Sequence, residues 1–260
     1  DGINDAPALR EADIGVALGR RGTAVARESA ALVLLDDNFA TIVAAVRDGR
    51  RIFDNLGKAF GYVIAFHMPL VLSALVVPLL GAPLLLMPVH LIVLELIMHP
   101  TASLVFEADP AAPDIMRRPP RRTGAGLLAG QHLGLSVLQG VVLFLGVLLL
   151  YVWGLRSGMS ADAARALGLT AMVLGETALV FVQRDMERPL WRARIPTTAI
   201  VWWSRVITLT LLAAGLYLPP IAGVLHLAAI GADSWLRALA VAALTTLWVE
   251  PLKAWRGRGQ

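Results

Sequence analysis

Residues 59–80 read AFGYVIAFHMPLVLSALVVPLL, a stretch without a single Asp, Glu, Lys or Arg. A helix of this length can cross the hydrocarbon core of a bilayer, which takes about 20 apolar residues. Similar stretches recur, and the six candidate spans are residues 59–80, 84–106, 131–153, 165–183, 197–218 and 235–252. Only Gly81, Ala82 and Pro83 separate the first two, which predicts a tight hairpin. The pattern predicts an α-helical polytopic membrane domain with six transmembrane helices.

The composition of the whole chain also favours a membrane protein. Of its 260 residues, 57% are hydrophobic and 16% are charged, and the mean hydropathy is +0.68. A soluble domain has about a quarter of its residues charged. The lack of cysteine excludes disulfides and thiolate metal sites. The net charge of +4 is too small to favour nucleic acid, so we expect a lipid bilayer, and no nucleic acid, as partner.

Lysines and arginines fall in alternate connections between the candidate spans. They follow the second, fourth and sixth spans, and they are Arg117, Arg118, Arg121, Arg122, Arg184, Arg188, Arg192, Arg194, Lys253, Arg256 and Arg258. Short loops rich in Lys and Arg remain on the cytoplasmic side of a membrane. We therefore expect these connections, residues 1–58 and both ends of the chain to be cytoplasmic.

Residues 1–58 have the pattern of a soluble α/β fold. Short apolar strands are predicted at 13–18 and 31–35, with a helix at 22–29 between them, and this alternation indicates a parallel sheet. Asn38 is suited to cap a helix that begins at Phe39. Because no helix-breaking residue follows before the membrane, this helix is predicted to continue unbroken into the first span.

An acidic loop opens the chain. Asp1 and Asp5 lie on a glycine-containing segment that leads into a helix near Pro7. Two carboxylates supply the hard oxygen ligands that Mg²⁺ prefers, and the N–H groups of a helix start favour phosphate. The spacing alone is more typical of a solvated acidic turn that caps a helix.

The residues of this loop, DGINDAPAL from Asp1 to Leu9, strongly resemble the hinge motif of P-type ATPases. These are cation pumps with a haloacid-dehalogenase-like phosphorylation domain. The resemblance continues at residues 12–17, 22–26, 36–39, 49–50, 114–121, 217–220 and 248–253. It implies that residues 1–58 are the C-terminal part of that α/β domain with the stalk of the fifth helix. Residues 59–260 would then be helices five to ten of the parent.

The same resemblance implies roles for the loop residues. Asp1 is expected to bind catalytic Mg²⁺, and Asn4 and Asp5 are expected to support the phosphate and the metal. The phosphorylated aspartate of the family lies in an Asp-Lys-Thr-Gly motif, which is absent here because neither Lys58 nor Lys253 lies in one. We therefore expect the C-terminal part of a longer pump, inactive alone, whose missing N-terminal part binds ATP.

Six spans after the hinge motif resemble the ten-helix group of this family, which moves Ca²⁺, Na⁺/K⁺, H⁺ or Mg²⁺. The absence of cysteine independently argues against soft metals, which prefer thiolates. The resemblance thus implies export of a divalent cation such as Ca²⁺ across a bacterial plasma membrane. Two alternatives stay open: a pump for Mn²⁺, Mg²⁺, H⁺ or Na⁺/K⁺, and a non-catalytic membrane module that partners a separate ATPase.

Ionisable residues at membrane depth are costly and are usually functional. Four candidates for binding the transported cation lie in the spans: His67, Glu95, His99 and Glu176. Glu95 and His99 are four residues apart and therefore share one face of a helix.

A proline follows the second of these residues. Pro100 lacks the N–H that would bond the carbonyl of Leu96. Interrupted membrane helices often present such carbonyls to a cation. The sequence therefore predicts a cation site beside Glu95.

The resemblance to calcium pumps is incomplete at these positions. Where the calcium pump of the sarcoplasmic reticulum type has oxygen ligands, only Glu176 keeps its residue type, and Leu70 and Met98 offer no oxygen. We therefore expect one cation site rather than two. The histidines leave three interpretations open: a transition metal such as Mn²⁺, a proton counter-transported on imidazole, or purely structural hydrogen bonds.

Overall fold

A computed structural model describes residues 1–121, 126–127, 130–193 and 198–256, apart from the side chains of residues 97, 98, 101, 130 and 131. Arg122, Arg194, Arg258 and the side chain of Met98 therefore lie outside the described part of the chain. The chain divides into two compact units, residues 1–53 with 111–120 and residues 54–110 with 121–260. The domain boundary after Lys58 stays a prediction.

The first unit contains the predicted strand–helix–strand order. A 3₁₀ turn at Ile3–Asp5 leads into α1 (Ala6–Glu11), and then follow β1 (Val16–Leu18), α2 (Ala24–Ser29) and β2 (Leu32–Leu34). The two strands are parallel, with Val16 opposite Leu32. The parallel pairing is confirmed, and each strand is shorter than its apolar run.

Local contacts hold these elements together. Thr23 caps α2, since its hydroxyl oxygen accepts a hydrogen bond from the backbone N–H of Ala26 at 3.3 Å. Arg50 joins the segment 111–120 to this unit, because its guanidinium donates to the carbonyls of Ile115 and Arg118 at 2.8 Å each. Two segments that resemble the pump family, around Arg50 and around Ile115, are thus in direct contact.

The longest helix, α3, runs from Ala40 to Leu79 over 40 residues. Asn38 caps it, because its side-chain oxygen accepts from the N–H of Ala40 at 2.9 Å. Asp36 accepts from the hydroxyl of Thr41 at 2.6 Å, and this bond lowers the pKa of Asp36. The predicted cap and the uninterrupted helix are confirmed, and the helix begins one residue later than expected.

The second unit is helical. After α3 its elements are α4 (Pro88–Val93), a π-helical turn (Leu94–Met98), α5 (His99–Glu107), α6 (Gly130–Arg156), α7 (Ala161–Arg184), α8 (Ala199–Tyr217), α9 (Pro219–Val224), α10 (Ala232–Leu247) and α11 (Val249–Arg256). Within the described residues, five stretches are long and apolar enough to cross a membrane: Ala40–Leu79, His132–Arg156, Ala161–Arg184, Ala199–Tyr217 and Ala232–Arg256.

The second predicted span, residues 84–106, is not among these five. Its helix begins at Pro88, so the connection from α3 covers residues 80–87 and the predicted three-residue hairpin is wrong. Proline favours the first position of a helix and disfavours helical geometry in the residue before it, which explains the late start. Because the π-helical turn also interrupts this segment, the count of six spans stays a prediction.

The central helix of this unit is α7, which packs against α6 and α10. Its central residues are almost all buried. Glycines permit close contacts between the helices: a Cβ added to Gly175 of α7 would collide with Leu143 of α6, and one added to Gly146 of α6 would collide with Thr245 of α10. Small residues at such contacts let membrane helices approach closely.

Candidate cation site

Three of the four predicted cation ligands come together in the structure. His67 on α3, Glu95 in the π-helical turn and His99 at the start of α5 each offer a ligand atom, and these atoms lie within 4.8 Å of one another. Nε2 of His67 is 3.1 Å from Oε1 of Glu95. Nδ1 of His99 is 3.4 Å from Oε2 of Glu95. We call these three residues the His–Glu–His cluster.

The hydrogen bond of His67 to its own helix fixes the role of each ring nitrogen. Nδ1 of His67 lies 2.8 Å from the carbonyl oxygen of Val63. Because a carbonyl only accepts, Nδ1 carries the hydrogen, and in the neutral ring Nε2 presents a lone pair. That lone pair faces a carboxylate oxygen of Glu95. Two acceptor atoms this close need a proton or a metal ion between them, so the pair is suited to bind a cation.

The helix that carries Glu95 is locally widened. The N–H of His99 bonds the carbonyl of Leu94, five residues earlier, rather than that of Glu95. Pro100 has no N–H to offer in its place. The carbonyl of Glu95 therefore receives no helical hydrogen bond from either residue. Isolated π-helical turns often mark functional sites.

One aromatic ring positions both histidines. Phe66 is fully buried and stacks on His99 with ring centroids 5.4 Å apart. The edge of the same ring contacts His67 at a centroid distance of 5.2 Å. These contacts restrict the rotation of both imidazoles. The cluster therefore has one rigid apolar wall.

The fourth predicted residue, Glu176, lies on α7 and is not a member of the cluster. Its side chain is completely buried, and neither carboxylate oxygen has a hydrogen-bond partner among the described residues. The charged groups that act on it include Glu95 and Arg205. A carboxylate without partners in a membrane interior is costly. This placement is compatible with a cation or a proton at Glu176.

Two other ionisable residues of the spans have structural partners. Nδ1 of His90 accepts from the N–H of Met87 at 3.1 Å, and its Nε2 lies 2.7 Å from the carbonyl of Leu225. Glu250 forms an ion pair with Lys253 at 2.7 Å and accepts from the N–H of Leu190 at 2.6 Å.

Sequence reasoning missed a second charged cluster in the same unit. The carboxylate of Asp109 accepts from the guanidinium of Arg184 at 2.6 and 2.8 Å and from Lys58 at 3.3 Å. Asn55 donates to the backbone carbonyl of Asp109 at 2.8 Å. Asp109 and Arg184 are each only 3% exposed. A signal was present, because each of these two charged residues ends an apolar stretch. We call these four residues the Asp109 cluster.

The predicted catalytic residues Asp1, Asn4 and Asp5 lie on the loop before α1. The carboxylate of Asp5 accepts from the backbone N–H of Gly2 at 2.7 Å. The carbonyl of Asp1 accepts from the N–H of Thr23 at 2.9 Å, which ties the loop to the start of α2. The side chains of Asp1 and Asp5 are well exposed. Two accessible carboxylates on one short loop form a donor set that suits Mg²⁺.

Comparison with known proteins agrees with this architecture. Residues 83–255 match the family model described as "Cation transporting ATPase, C-terminus". The chain is 35% identical over 251 residues to the "Probable cation-transporting ATPase F" of Mycobacterium tuberculosis (strain H37Rv), a match that covers 96% of this chain and 28% of that protein.

Two further relatives carry the name of an ion. The "Calcium-transporting ATPase" of Bacillus subtilis (strain 168) is 31% identical, over 95% of this chain and 28% of its own length. The "Calcium-transporting ATPase 1" of Lactococcus lactis subsp. lactis (strain IL1403) is 26% identical, over 99% of this chain and 29% of its own length.

The chain thus spans less than a third of the length of the curated relatives it matches. The apolar helices and the family match together indicate an integral membrane protein. The chain belongs to the P-type cation-transporting ATPases and corresponds to the C-terminal part of those proteins.

Proposed function

We propose that this chain is the C-terminal part of an ATP-driven pump that exports a divalent cation such as Ca²⁺ through an aspartyl-phosphate cycle. The observation that carries the proposal is the His–Glu–His cluster at an interrupted helix of the membrane unit. The calcium named for the relatives of Bacillus and Lactococcus supports a divalent cation as the cargo.

In this pump the chain supplies the cation site and part of the phosphorylation site. Asp1 and Asp5, supported by Asn4, would hold Mg²⁺, which neutralises charge on the transferred phosphoryl group when bound. ATP and the phosphorylated aspartate belong to the part of the parent outside this chain, so the chain alone is inactive. Because α3 is one continuous helix from Ala40 to Leu79, a tilt of its first turns moves His67.

We place the pump in a bacterial plasma membrane, with lipid around the apolar helices. Both ends of this chain and its arginine-rich connections are cytoplasmic in this arrangement, as the asymmetry of Lys and Arg favours. The bacterial origin of the relatives supports this location. Tilting of α3 would then change the exposure of the His–Glu–His cluster and Glu176 from one side of the membrane to the other.

The test uses a full-length pump that contains this chain. Glu95→Gln keeps the size of the side chain and removes its charge, so cation-stimulated phosphoenzyme formed from labelled ATP should be abolished. The matched control is Glu107→Gln, which makes the same change at an exposed position of α5 and should leave the phosphoenzyme unchanged.

Two outcomes count against parts of the proposal. An unaltered cation dependence of the Glu95→Gln phosphoenzyme removes Glu95 from the ligands. A wild-type protein that forms no cation-dependent phosphoenzyme with any ion contradicts the pump itself.

A further inference from the structure

We infer that the His–Glu–His cluster selects a divalent transition-metal ion over Ca²⁺ as the cargo of this pump. The inference rests on the proposed function, because it concerns the identity of the ion at the same site. It is carried by the donor atoms of the cluster, their spacing and the groups that surround them.

The donor atoms favour a transition metal. Two of the three side chains that converge, His67 and His99, offer imidazole nitrogen, and only Glu95 offers oxygen. Ca²⁺ takes six to eight oxygen ligands and has little preference for nitrogen. Imidazole suits Zn²⁺ and its neighbours in the first transition row, and two histidines with one carboxylate form a known three-ligand set for such ions.

The spacing of the donor atoms fits a single small ion. Oε1 of Glu95 lies 3.1 Å from Nε2 of His67, and Oε2 of Glu95 lies 3.4 Å from Nδ1 of His99. Ligand atoms of a tetrahedral site with bonds of 2.0–2.1 Å are roughly 3.3 Å apart. One ligand atom from each of the three residues lies within 4.8 Å of the others, so a metal ion can bind once the side chains draw these atoms together.

The hydrogen bond of His67 to its helix has the form expected around a metal. Metal-binding histidines usually donate their other ring N–H to a carbonyl or a carboxylate, which fixes the ring and the tautomer. Nδ1 of His67 does so to the carbonyl of Val63. Nε2 is thereby left as a neutral nitrogen ligand directed at the carboxylate of Glu95.

Few of the described side chains next to the cluster carry oxygen for the shell that Ca²⁺ needs. Leu70, which follows His67 on α3, is buried and apolar, and Phe66 fills the wall between the two imidazoles. Among the described side chains of these turns, the carboxylate of Glu95 is the anionic oxygen donor.

The first test measures ion affinity on the wild-type protein. A full-length pump that contains this chain, purified without a histidine tag, is titrated calorimetrically with Zn²⁺, Mn²⁺ and Ca²⁺ in the absence of ATP. We expect Zn²⁺ to bind at least about tenfold more tightly than Ca²⁺, with Mn²⁺ between them, as the usual order for nitrogen sites requires. Ca²⁺ affinity equal to or above that of Zn²⁺ overturns the inference.

The second test asks whether the histidines cause the preference. His67→Asn and His99→Asn should each weaken Zn²⁺ binding by about tenfold or more, while Ca²⁺ binding changes little. The matched control is His226→Asn, because His226 is exposed and its positive φ of 48° is one that Asn tolerates. Equal Zn²⁺ affinity in the wild type and both cluster variants also overturns the inference.

The phosphoenzyme separates this inference from the proposed function. If Zn²⁺ or Mn²⁺ stimulates phosphoenzyme formation and Ca²⁺ does not, both statements are supported. If Ca²⁺ alone stimulates it, the pump stands and the inference fails. If no ion stimulates it, the proposed function fails, whatever the titration gives.

Discussion

The Asp109 cluster and the His–Glu–His cluster lie in the same helical unit, but their carboxylates differ in how completely they are paired with donors. Asp109 is buried and receives donors from Arg184 and Lys58. Glu95 faces two imidazoles and remains 39% exposed, and the buried Glu176 has no hydrogen-bond donor among the described residues. In a membrane protein, a fully paired charge indicates a structural role, whereas an incompletely paired carboxylate indicates a place for a cation.

The energetics of buried charges explain this difference. Removing one partner of a buried ion pair leaves an uncompensated charge and costs about 3–5 kcal/mol. Removing the charge of a carboxylate that has no hydrogen-bond donors should cost the fold little stability, because no donor compensated that charge. Substitutions at the two kinds of position should therefore change stability in different directions.

The largest effect is expected at Arg184. Arg184→Met keeps an unbranched side chain and removes the two guanidinium hydrogen bonds to Asp109, so the free energy of unfolding should fall by about 3–5 kcal/mol. Denaturant unfolding of the purified chain in detergent micelles measures this loss.

A double variant serves as the control for this prediction. Arg184→Met combined with Asp109→Leu removes both buried charges and leaves only the partly exposed Lys58 without its carboxylate partner, so it should recover much of the lost stability. A double variant as unstable as Arg184→Met would mean that packing, rather than the lost ion pair, caused the effect.

A smaller loss is expected where α6 approaches α3 beside the His–Glu–His cluster. A Cβ on Gly140 would collide with Met68 and lie 2.6 Å from the carbonyl of Ala65. Gly140→Ala should therefore lower the free energy of unfolding by about 1–3 kcal/mol, since backbone cannot easily move away. Gly134→Ala on the same helix is the matched control, because a Cβ there meets nothing within 4 Å. Equal stability of the two variants would contradict the tight contact.

A third variant should not lower the free energy of unfolding and can raise it slightly. Glu176→Gln removes the ionisable group of a buried side chain that has no donors among the described residues, so the unfolding free energy should stay unchanged or rise by about 1 kcal/mol. Asp109→Asn makes the same chemical change at a paired carboxylate and should be clearly destabilising. Similar losses of stability in both variants would show that Glu176 has stabilising partners and is not an unpaired carboxylate.

Local patterns in the sequence predicted much of this architecture. The parallel strands around α2 and the unbroken α3 follow from apolar runs, caps and the absence of breaking residues, all of which act over a few positions. The pairing of Glu95 with His99 follows from helical spacing alone. These features depend on residues that are close together in the chain, so they can be predicted from a single sequence.

The remaining features depend on residues far apart in sequence. His67 reaches Glu95 from another helix, and Asp109 bonds Arg184 across 75 positions. The π-helical turn redirects the N–H of His99 to Leu94, and no local pattern predicts that shift. Tertiary packing determines these contacts, which explains why the Asp109 cluster was missed.

The smallest effect is expected for a charge at the exposed start of α3. The hydroxyl of Thr41 donates to Asp36 and lowers the pKa of that carboxyl below its usual value of 3.8. A lowered pKa in the folded state means that the charged carboxylate adds stability above pH 4 and that this contribution disappears as the pH falls through the folded value. Thr41→Val has the same shape without the donor, so its melting temperature should be slightly lower than that of the wild type at pH 6 and equal to it near pH 2. A difference that persists at pH 2 would mean that the hydroxyl acts through something other than the charge of Asp36. This effect on stability is expected to be small because water already solvates the carboxylate of Asp36. The buried carboxylate of Asp109, in contrast, depends on its protein partners for stabilisation.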